Sequence, residues 1–160
     1  EFTFTSSKDY TLVGYSRGAI VAAKLLTKDK RITKAILGGV GQHFTNPDWD
    51  RRKMFEEAFL GKAYLYPEAQ GAVKYAKSIG ADTLVLGYLQ RYQPSTSPKA
   101  LANFKGKAMV INGDADLDNG DPKILQRYFK NAKLAIVKGD HNGTYRTAEF
   151  SNEILKFLEE

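Results

Sequence analysis

The chain of 160 residues contains no cysteine, which excludes disulfide bonds, thiolate metal sites and thiol nucleophiles. No apolar run is long enough to cross a bilayer, and no signal-peptide pattern opens the chain. Hydrophobic residues make up 42% and charged residues 26%, an ordinary mixture that excludes a disordered or collagen-like chain. The length indicates one domain. We therefore expect a folded cytoplasmic protein without membrane contact.

The charge has little bias toward one sign. Lysine and arginine number 24 against 18 aspartate and glutamate residues, a net charge of +6. A nucleic-acid interface needs basic residues to cluster, but here the signs alternate, as where Arg51 and Lys53 precede Glu56 and Glu57. We expect solvated charged faces and no nucleic-acid partner.

Four short apolar runs predict strands, at residues 10–15, 32–40, 108–112 and 134–137. Runs without alternation are typical of parallel strands buried on both faces. Helical patterns follow three of the runs. Residues 17–28 are apolar nearly all round and predict a buried crossover helix, whereas residues 122–131 begin after Asp121, a good N-cap. The alternation predicts an α/β fold with a mostly parallel sheet and flanking helices.

The end of the chain predicts a closing helix, whose apolar residues recur at helical spacing: Phe150, Ile154, Leu155 and Leu158. Between the second and third strands, residues 44–100 predict a helical cap inserted into the domain. Its helix candidates are residues 51–60, 67–79 and 83–92. The cap is rich in aromatic residues, most of which we expect to pack between the cap and the sheet, while a minority line a pocket. The organisation is thus a single partial domain over residues 1–160 with one insertion.

Gly14-Tyr15-Ser16-Arg17-Gly18 is a G-x-S-x-G motif between a predicted strand and a predicted helix. A serine on so tight a turn takes a strained conformation, and neighbouring side chains would collide, which predicts glycine at both flanking positions. The turn also brings the serine oxygen to a helix N-terminus. The motif favours a nucleophilic serine over the alternative of an ordinary tight turn.

A serine nucleophile needs a base, and the sequence has only two histidines. His141 follows the last predicted strand, so it lies at the same sheet edge as Ser16, and we favour it as the base. His43 follows the second strand and either contacts substrate or caps a helix. Tyr15 and Trp49 are further candidates for substrate contact.

The loop after the third strand is acidic. It contains Asp114, Asp116, Asp118 and Asp121. The spacing is reminiscent of a calcium loop, but the twelve-residue frame that ends in glutamate is missing from Lys123 onward. We therefore favour an orienting acid for the histidine and expect no metal and no cofactor.

In this order and context, the segments LVGYSRGA, INGDADLD and IVKGDHN resemble the nucleophile, acid and histidine motifs of the α/β-hydrolase family. The resemblance implies that Ser16 is the nucleophile, His141 the base and Asp116 the acid. It also implies that the backbone N–H of Arg17 forms one half of an oxyanion hole. The function implied is that of a serine hydrolase cleaving a small-molecule ester or related carbonyl substrate through an acyl-enzyme.

The chain departs from that family before the motif. The family has several earlier strands and often a His-Gly loop that supplies the second oxyanion donor, whereas residues 1–9 offer at most one strand, at residues 1–5. The strand at residues 10–15 would then lie at a sheet edge, which favours pairing with another chain. We expect a homodimer or a complementing N-terminal fragment. The alternative is a non-catalytic binding module or an inactive fragment that lacks the oxyanion loop.

Overall fold

The computed structural model describes residues 9–160, so the strand predicted at residues 1–5 lies outside the described residues. The chain divides into two compact units. The sheet unit comprises the residues up to Asn46 together with Ser95–Glu160, and the helical unit comprises Pro47–Pro94.

Among residues 9–160, the sheet unit contains four parallel strands in the spatial order β1-β2-β3-β4. Their bounds are Tyr10–Tyr15 for β1, Ile32–Gly38 for β2, Lys107–Gly113 for β3 and Ala132–Val137 for β4. Tyr15 pairs with Gly38, and Gly113 pairs with Val137, so the carboxyl ends of the strands meet at one edge. The predicted α/β fold with a mostly parallel sheet and flanking helices is confirmed.

Burial differs between the inner and outer strands. Every residue of β3 after Lys107 is buried, and so are the last four residues of β2. In β1 no residue is fully buried, and Val13 is 53% exposed; in β4 only Val137 is buried. The prediction that all four strands are buried on both faces is therefore wrong for β1 and β4. Each of them has a strand neighbour on one side only among the described residues, so less of its surface is covered.

In the described part of the sheet unit there are four α-helices: α1 Arg17–Leu25, α5 Pro98–Ala102, α6 Pro122–Arg127 and α7 Ala148–Glu159. The predicted N-cap of α6 is confirmed, because Asp121 accepts a hydrogen bond from the Lys123 amide at 2.8 Å. α1 buries its alanines and Ile20 but exposes Val21 and Leu25, so the prediction of burial all round is wrong.

One core cluster lies between α7 and the sheet. It consists of Ile36, Met109, Ile111, Val137, Phe150 and Phe157. The predicted closing helix is confirmed, but two of the four side chains taken as its apolar face, Leu155 and Leu158, are exposed. Phe157 fills the position instead, because it lies seven residues after Phe150 and therefore on the same face of the helix.

The helical unit contains three α-helices: α2 Asp50–Glu57, α3 Pro67–Ser78 and α4 Thr83–Arg91. A π-helical turn, Ala58–Lys62, and a 3-10 turn, Ala63–Leu65, join α2 to α3. Its small core is formed by Ala58, Phe59, Ala69, Val73 and Ala76. Several of its aromatic residues are exposed, with Tyr64 at 74% and Tyr92 at 76%.

Across residues 9–160, no helix has both the length and the apolar character needed to span a membrane.

Candidate active site

Ser16 occupies a strained turn between β1 and α1. Its φ is 52° and its ψ is −120°, and no other non-glycine residue among residues 9–160 has a positive φ. Such a conformation costs on the order of 1–3 kcal/mol and persists only where the surroundings impose it. Here the Ser16 amide donates to the Gly38 carbonyl at 2.8 Å, which ties the turn to the end of β2. The strain predicted for this serine is confirmed.

The two glycines of the motif have different roles. A Cβ atom at Gly14 would lie 2.4 Å from the Gly18 carbonyl oxygen, so no side chain fits there. A Cβ atom at Gly18 would meet no atom within 4 Å. The prediction that both positions exclude a side chain is therefore wrong for Gly18, because the close approach is between position 14 and the backbone of α1.

Ser16, His141 and Asp116 form a hydrogen-bonded chain. His141 Nε2 lies 2.9 Å from Ser16 Oγ, and His141 Nδ1 lies 2.9 Å from Asp116 Oδ2. Asp116 is only 2% exposed, whereas the His141 side chain is 18% exposed. When the carboxylate is ionised it accepts the proton of Nδ1–H, which leaves the lone pair of Nε2 to accept from the serine hydroxyl.

The acid loop and the histidine loop are joined through their backbones. The Asp114 amide donates to the Val137 carbonyl at 2.8 Å, and the Ala115 amide donates to the Gly139 carbonyl at 3.1 Å. The Asp116 amide donates to the Gly113 carbonyl at 3.1 Å, which closes a tight turn directly after β3. These bonds position the Asp116 carboxylate beside the histidine loop.

Asp114 adds a side-chain connection between the same two loops. Its carboxylate accepts from the Gly139 amide at 3.0 Å and pairs with Lys138 Nζ at 3.0 Å. The hydrogen bond from the Gly139 amide, followed by the interaction with Lys138, lowers the pKa of Asp114 below its usual value. The sequence marked Asp114 only as one member of an acidic cluster, so its structural role was missed.

Two further features shape the histidine loop. Gly139 has a φ of 126° and approaches Thr144 so closely that a Cβ atom would lie 2.7 Å from Thr144 Oγ1. Asp140 Oδ1 accepts from the amides of Asn142 and Gly143, at 3.1 and 2.7 Å. This local turn explains why Gly-Asp-His-Asn-Gly holds the imidazole at the end of β4.

Tyr15 contacts the histidine loop through both its hydroxyl and its ring. Its hydroxyl donates to the His141 carbonyl at 2.7 Å, and its ring contacts the rings of His141, Tyr145 and Phe150 at centroid distances of 5.1–5.7 Å. Burial, followed by the nearby charge of Asp116, raises the pKa of the Tyr15 hydroxyl. Tyr15 was predicted as a candidate substrate contact, but its hydroxyl is engaged in supporting the loop.

The other two candidates for substrate contact are placed differently. His43 is exposed in the 3-10 turn Gln42–Thr45 after β2, where its ring lies against Gly120 of the acid loop. Trp49 belongs to the helical unit and immediately precedes α2.

Arg17 begins α1 directly after the serine. Its amide has no hydrogen-bond acceptor among residues 9–160, as is usual for the first residue of a helix, so this N–H is available to a ligand. Its side chain is half-buried, and burial lowers the pKa of the guanidinium group.

In the described part of the chain, His, Asp and Glu side chains form no group of three that could hold a metal ion.

No protein-family model matches the sequence, and no curated protein matches it significantly. Solved structures do match. An α/β-hydrolase enzyme from a Medee basin deep-sea metagenome library has a TM-score of 0.72 and 20% identity, covering 97% of this chain and 66% of its own. A bromoperoxidase from Bacillus anthracis has a TM-score of 0.70 and 20% identity, covering 96% of this chain and 68% of its own.

An enol-lactonase from Burkholderia xenovorans LB400 is also similar, with a TM-score of 0.66 and 18% identity over 96% of this chain and 67% of its own. At such identities the likeness concerns the fold. The chain therefore has the α/β-hydrolase fold, in part: it spans about two thirds of the length of the structures it matches.

Proposed function

We propose that the protein is a serine hydrolase that cleaves a small-molecule ester or related carbonyl substrate. The observation that carries the proposal is the continuous hydrogen-bonded chain from Ser16 Oγ through both nitrogens of His141 to buried Asp116. Nucleophile, base and orienting acid in this relation are the components that acyl transfer requires. The similar structures include an α/β-hydrolase enzyme and an enol-lactonase, which supports hydrolytic chemistry.

In the first half of the proposed reaction, Ser16 Oγ attacks the substrate carbonyl carbon while His141 Nε2 takes the hydroxyl proton. The carbonyl π electrons move onto oxygen, and the Arg17 amide donates a hydrogen bond to the resulting oxyanion. The tetrahedral intermediate then collapses. His141 returns the proton to the leaving oxygen, the bond from carbon to the leaving group breaks, and the acyl group stays on Ser16.

In the second half, His141 removes a proton from water, and the hydroxide oxygen attacks the acyl carbon. Collapse of this second intermediate breaks the bond to Ser16 Oγ, which takes the proton back from Nε2. The carboxylic acid leaves, and the three side chains return to their starting protonation. Asp116 stays ionised throughout and stabilises the imidazolium that forms twice.

We propose that a second oxyanion donor comes from a partner, either a complementing N-terminal segment or a second copy of the chain. Two observations support this partner. The chain spans about two thirds of the structures it resembles, and β1 is an outer strand of the described sheet. Outer strands present unpaired backbone groups that another strand can satisfy. This proposal would be contradicted if the 160-residue chain sedimented as a monomer and associated neither with a second copy nor with an N-terminal segment.

The function is tested by labelling with a neutral fluorophosphonate probe. We expect Ser16 Oγ to displace fluoride from phosphorus, giving a covalent adduct on the peptide that contains Ser16. Ser16→Ala should remove labelling, and Asp116→Asn should slow it by orders of magnitude because the imidazole loses its orienting partner. Ser6→Ala serves as a matched control and should label like the original protein. A folded chain that does not label at Ser16 would favour the alternative of a non-catalytic module.

A further inference from the structure

The side chain of Arg17 is an unpaired cation next to the nucleophile. It follows Ser16 directly, so the two Cα atoms are about 3.8 Å apart. Within the described residues its guanidinium group makes no ion pair and no hydrogen bond, and desolvation alone lowers its pKa. Partial burial of a cation without a partner is unfavourable, so an anion bound beside it would be stabilised.

Four carboxylates of the neighbouring loops have partners of their own. Asp116 pairs with His141, and Asp114 pairs with Lys138 and the Gly139 amide. Asp121 caps α6, and Asp140 caps the turn of the histidine loop. These four carboxylates are therefore engaged in holding the loops, and the Arg17 guanidinium has no described partner that would compete with an external anion.

We propose that Arg17 recognises a carboxylate on the substrate, so that the preferred substrates are esters bearing a free carboxylate close to the scissile carbonyl. This inference rests on the proposed function. Arginine suits the role because its planar guanidinium stays charged and can bind both oxygens of a carboxylate. Its position next to Ser16 favours an acid a few bonds away from the reacting carbon, as in a half-ester of a short dicarboxylic acid.

The test compares two 4-nitrophenyl esters, the mono-ester of succinate and its neutral counterpart 4-nitrophenyl butyrate. The quantity compared is the kcat/KM of the 160-residue protein for the anionic ester divided by that for the neutral ester. We expect this ratio to fall about tenfold or more in Arg17→Met, because the variant loses a charge-assisted hydrogen bond. Arg17→Lys should recover part of the ratio, since it restores charge without the planar fork. High salt should lower the ratio of the original protein.

Arg127→Met is the matched control. Arg127 is exposed at the end of α6, which leads into the start of β4, so the variant removes the same charge away from Ser16. Its ratio should equal that of the original protein. An Arg17→Met ratio within twofold of the original would overturn the inference and leave the hydrolase proposal standing.

Failure of the proposed function is seen separately, with a neutral and a carboxylate-bearing fluorophosphonate that report on Ser16 without turnover. If neither probe labels Ser16, the hydrolase proposal fails and this inference fails with it. Suppose that the neutral probe labels Ser16 and that Arg17→Met does not slow labelling by the carboxylate-bearing probe more than labelling by the neutral one. In that case only the role of Arg17 is overturned. Faster labelling by the carboxylate-bearing probe that depends on Arg17 supports it.

Discussion

The Tyr15 hydroxyl donates a hydrogen bond to the backbone carbonyl of His141 at 2.7 Å, which joins the residue before the nucleophile to the residue proposed as its base. Tyr15 belongs to the end of β1 and His141 to the loop after β4, at opposite sides of the sheet. The Tyr15 ring lies against Gly38 and Gly39 at the end of β2, and its hydroxyl reaches the histidine loop. It restrains the histidine loop without using either nitrogen of the imidazole.

Removing this hydroxyl by Tyr15→Phe should loosen the histidine loop while the ring contacts are kept. We expect the free energy of unfolding to fall by about 1 kcal/mol, the net value of a typical hydrogen bond, and labelling of Ser16 to slow about threefold to tenfold. Denaturant unfolding and the rate of fluorophosphonate labelling measure the two effects.

Tyr145→Phe is the control for the Tyr15 variant, because its hydroxyl accepts only from exposed Arg146 and makes no described bond to the loop backbone. If Tyr15→Phe lowered stability but left the labelling rate and its pH profile unchanged, Tyr15 would be a structural residue only.

The raised pKa of Tyr15 predicts a dependence of stability on alkaline pH. The folded state holds this proton more tightly than the unfolded state, whose reference pKa is 10.0, so the contribution is complete below pH 10 and is lost as the pH rises above it. We expect the original protein to lose stability above pH 10 more steeply than Tyr15→Phe. Urea unfolding of both proteins at a series of alkaline pH values measures the difference, and parallel curves would contradict the prediction.

The two glycines of the motif give a paired prediction. Gly14→Ala should destabilise the protein by about 1–3 kcal/mol or more, because its new methyl group would meet the Gly18 carbonyl oxygen and the turn would have to open. Gly18→Ala should be neutral or stabilising by up to about 1 kcal/mol, because it adds a better helix former where space is free. Thermal unfolding of both variants tests the pair, and equal losses would contradict the asymmetry.

The parts of the site that could be predicted from sequence are those that follow from local motifs and from the geometry of a parallel sheet. Ser16 was found through its flanking glycines and His141 through its position after a strand. The position after the third strand left four aspartates open, and the resemblance to the α/β-hydrolase acid motif selected Asp116. Because parallel strands end at one edge, these three residues are expected near each other. The structure brings them within hydrogen-bond distance.

The supporting contacts could not be predicted, because they depend on pairs far apart in sequence. Tyr15 and His141 are separated by 126 positions, and nothing in the motif indicates that the tyrosine hydroxyl reaches the histidine carbonyl. The exposure of Val21 and Leu25 was missed for a related reason. An apolar helix pattern predicts which residues favour burial, whereas the neighbouring elements decide how much of the helix is covered.

Asp114 provides a prediction for acid pH. Its carboxylate is bound by the Gly139 amide and Lys138, so its pKa is lowered from the reference value of 3.8, and its contribution to stability is present above that value. Asp114→Asn should therefore melt at a lower temperature than the original protein near neutral pH, and the gap should narrow as the pH falls below 3.8. Glu159→Gln removes one negative charge from an exposed position without a described partner, and it should show no such narrowing.

Because Asp114 joins the acid loop to the histidine loop, the Asn variant should also label more slowly at Ser16 at neutral pH. A variant that melts and labels like the original protein would show that the backbone bonds alone hold the two loops together.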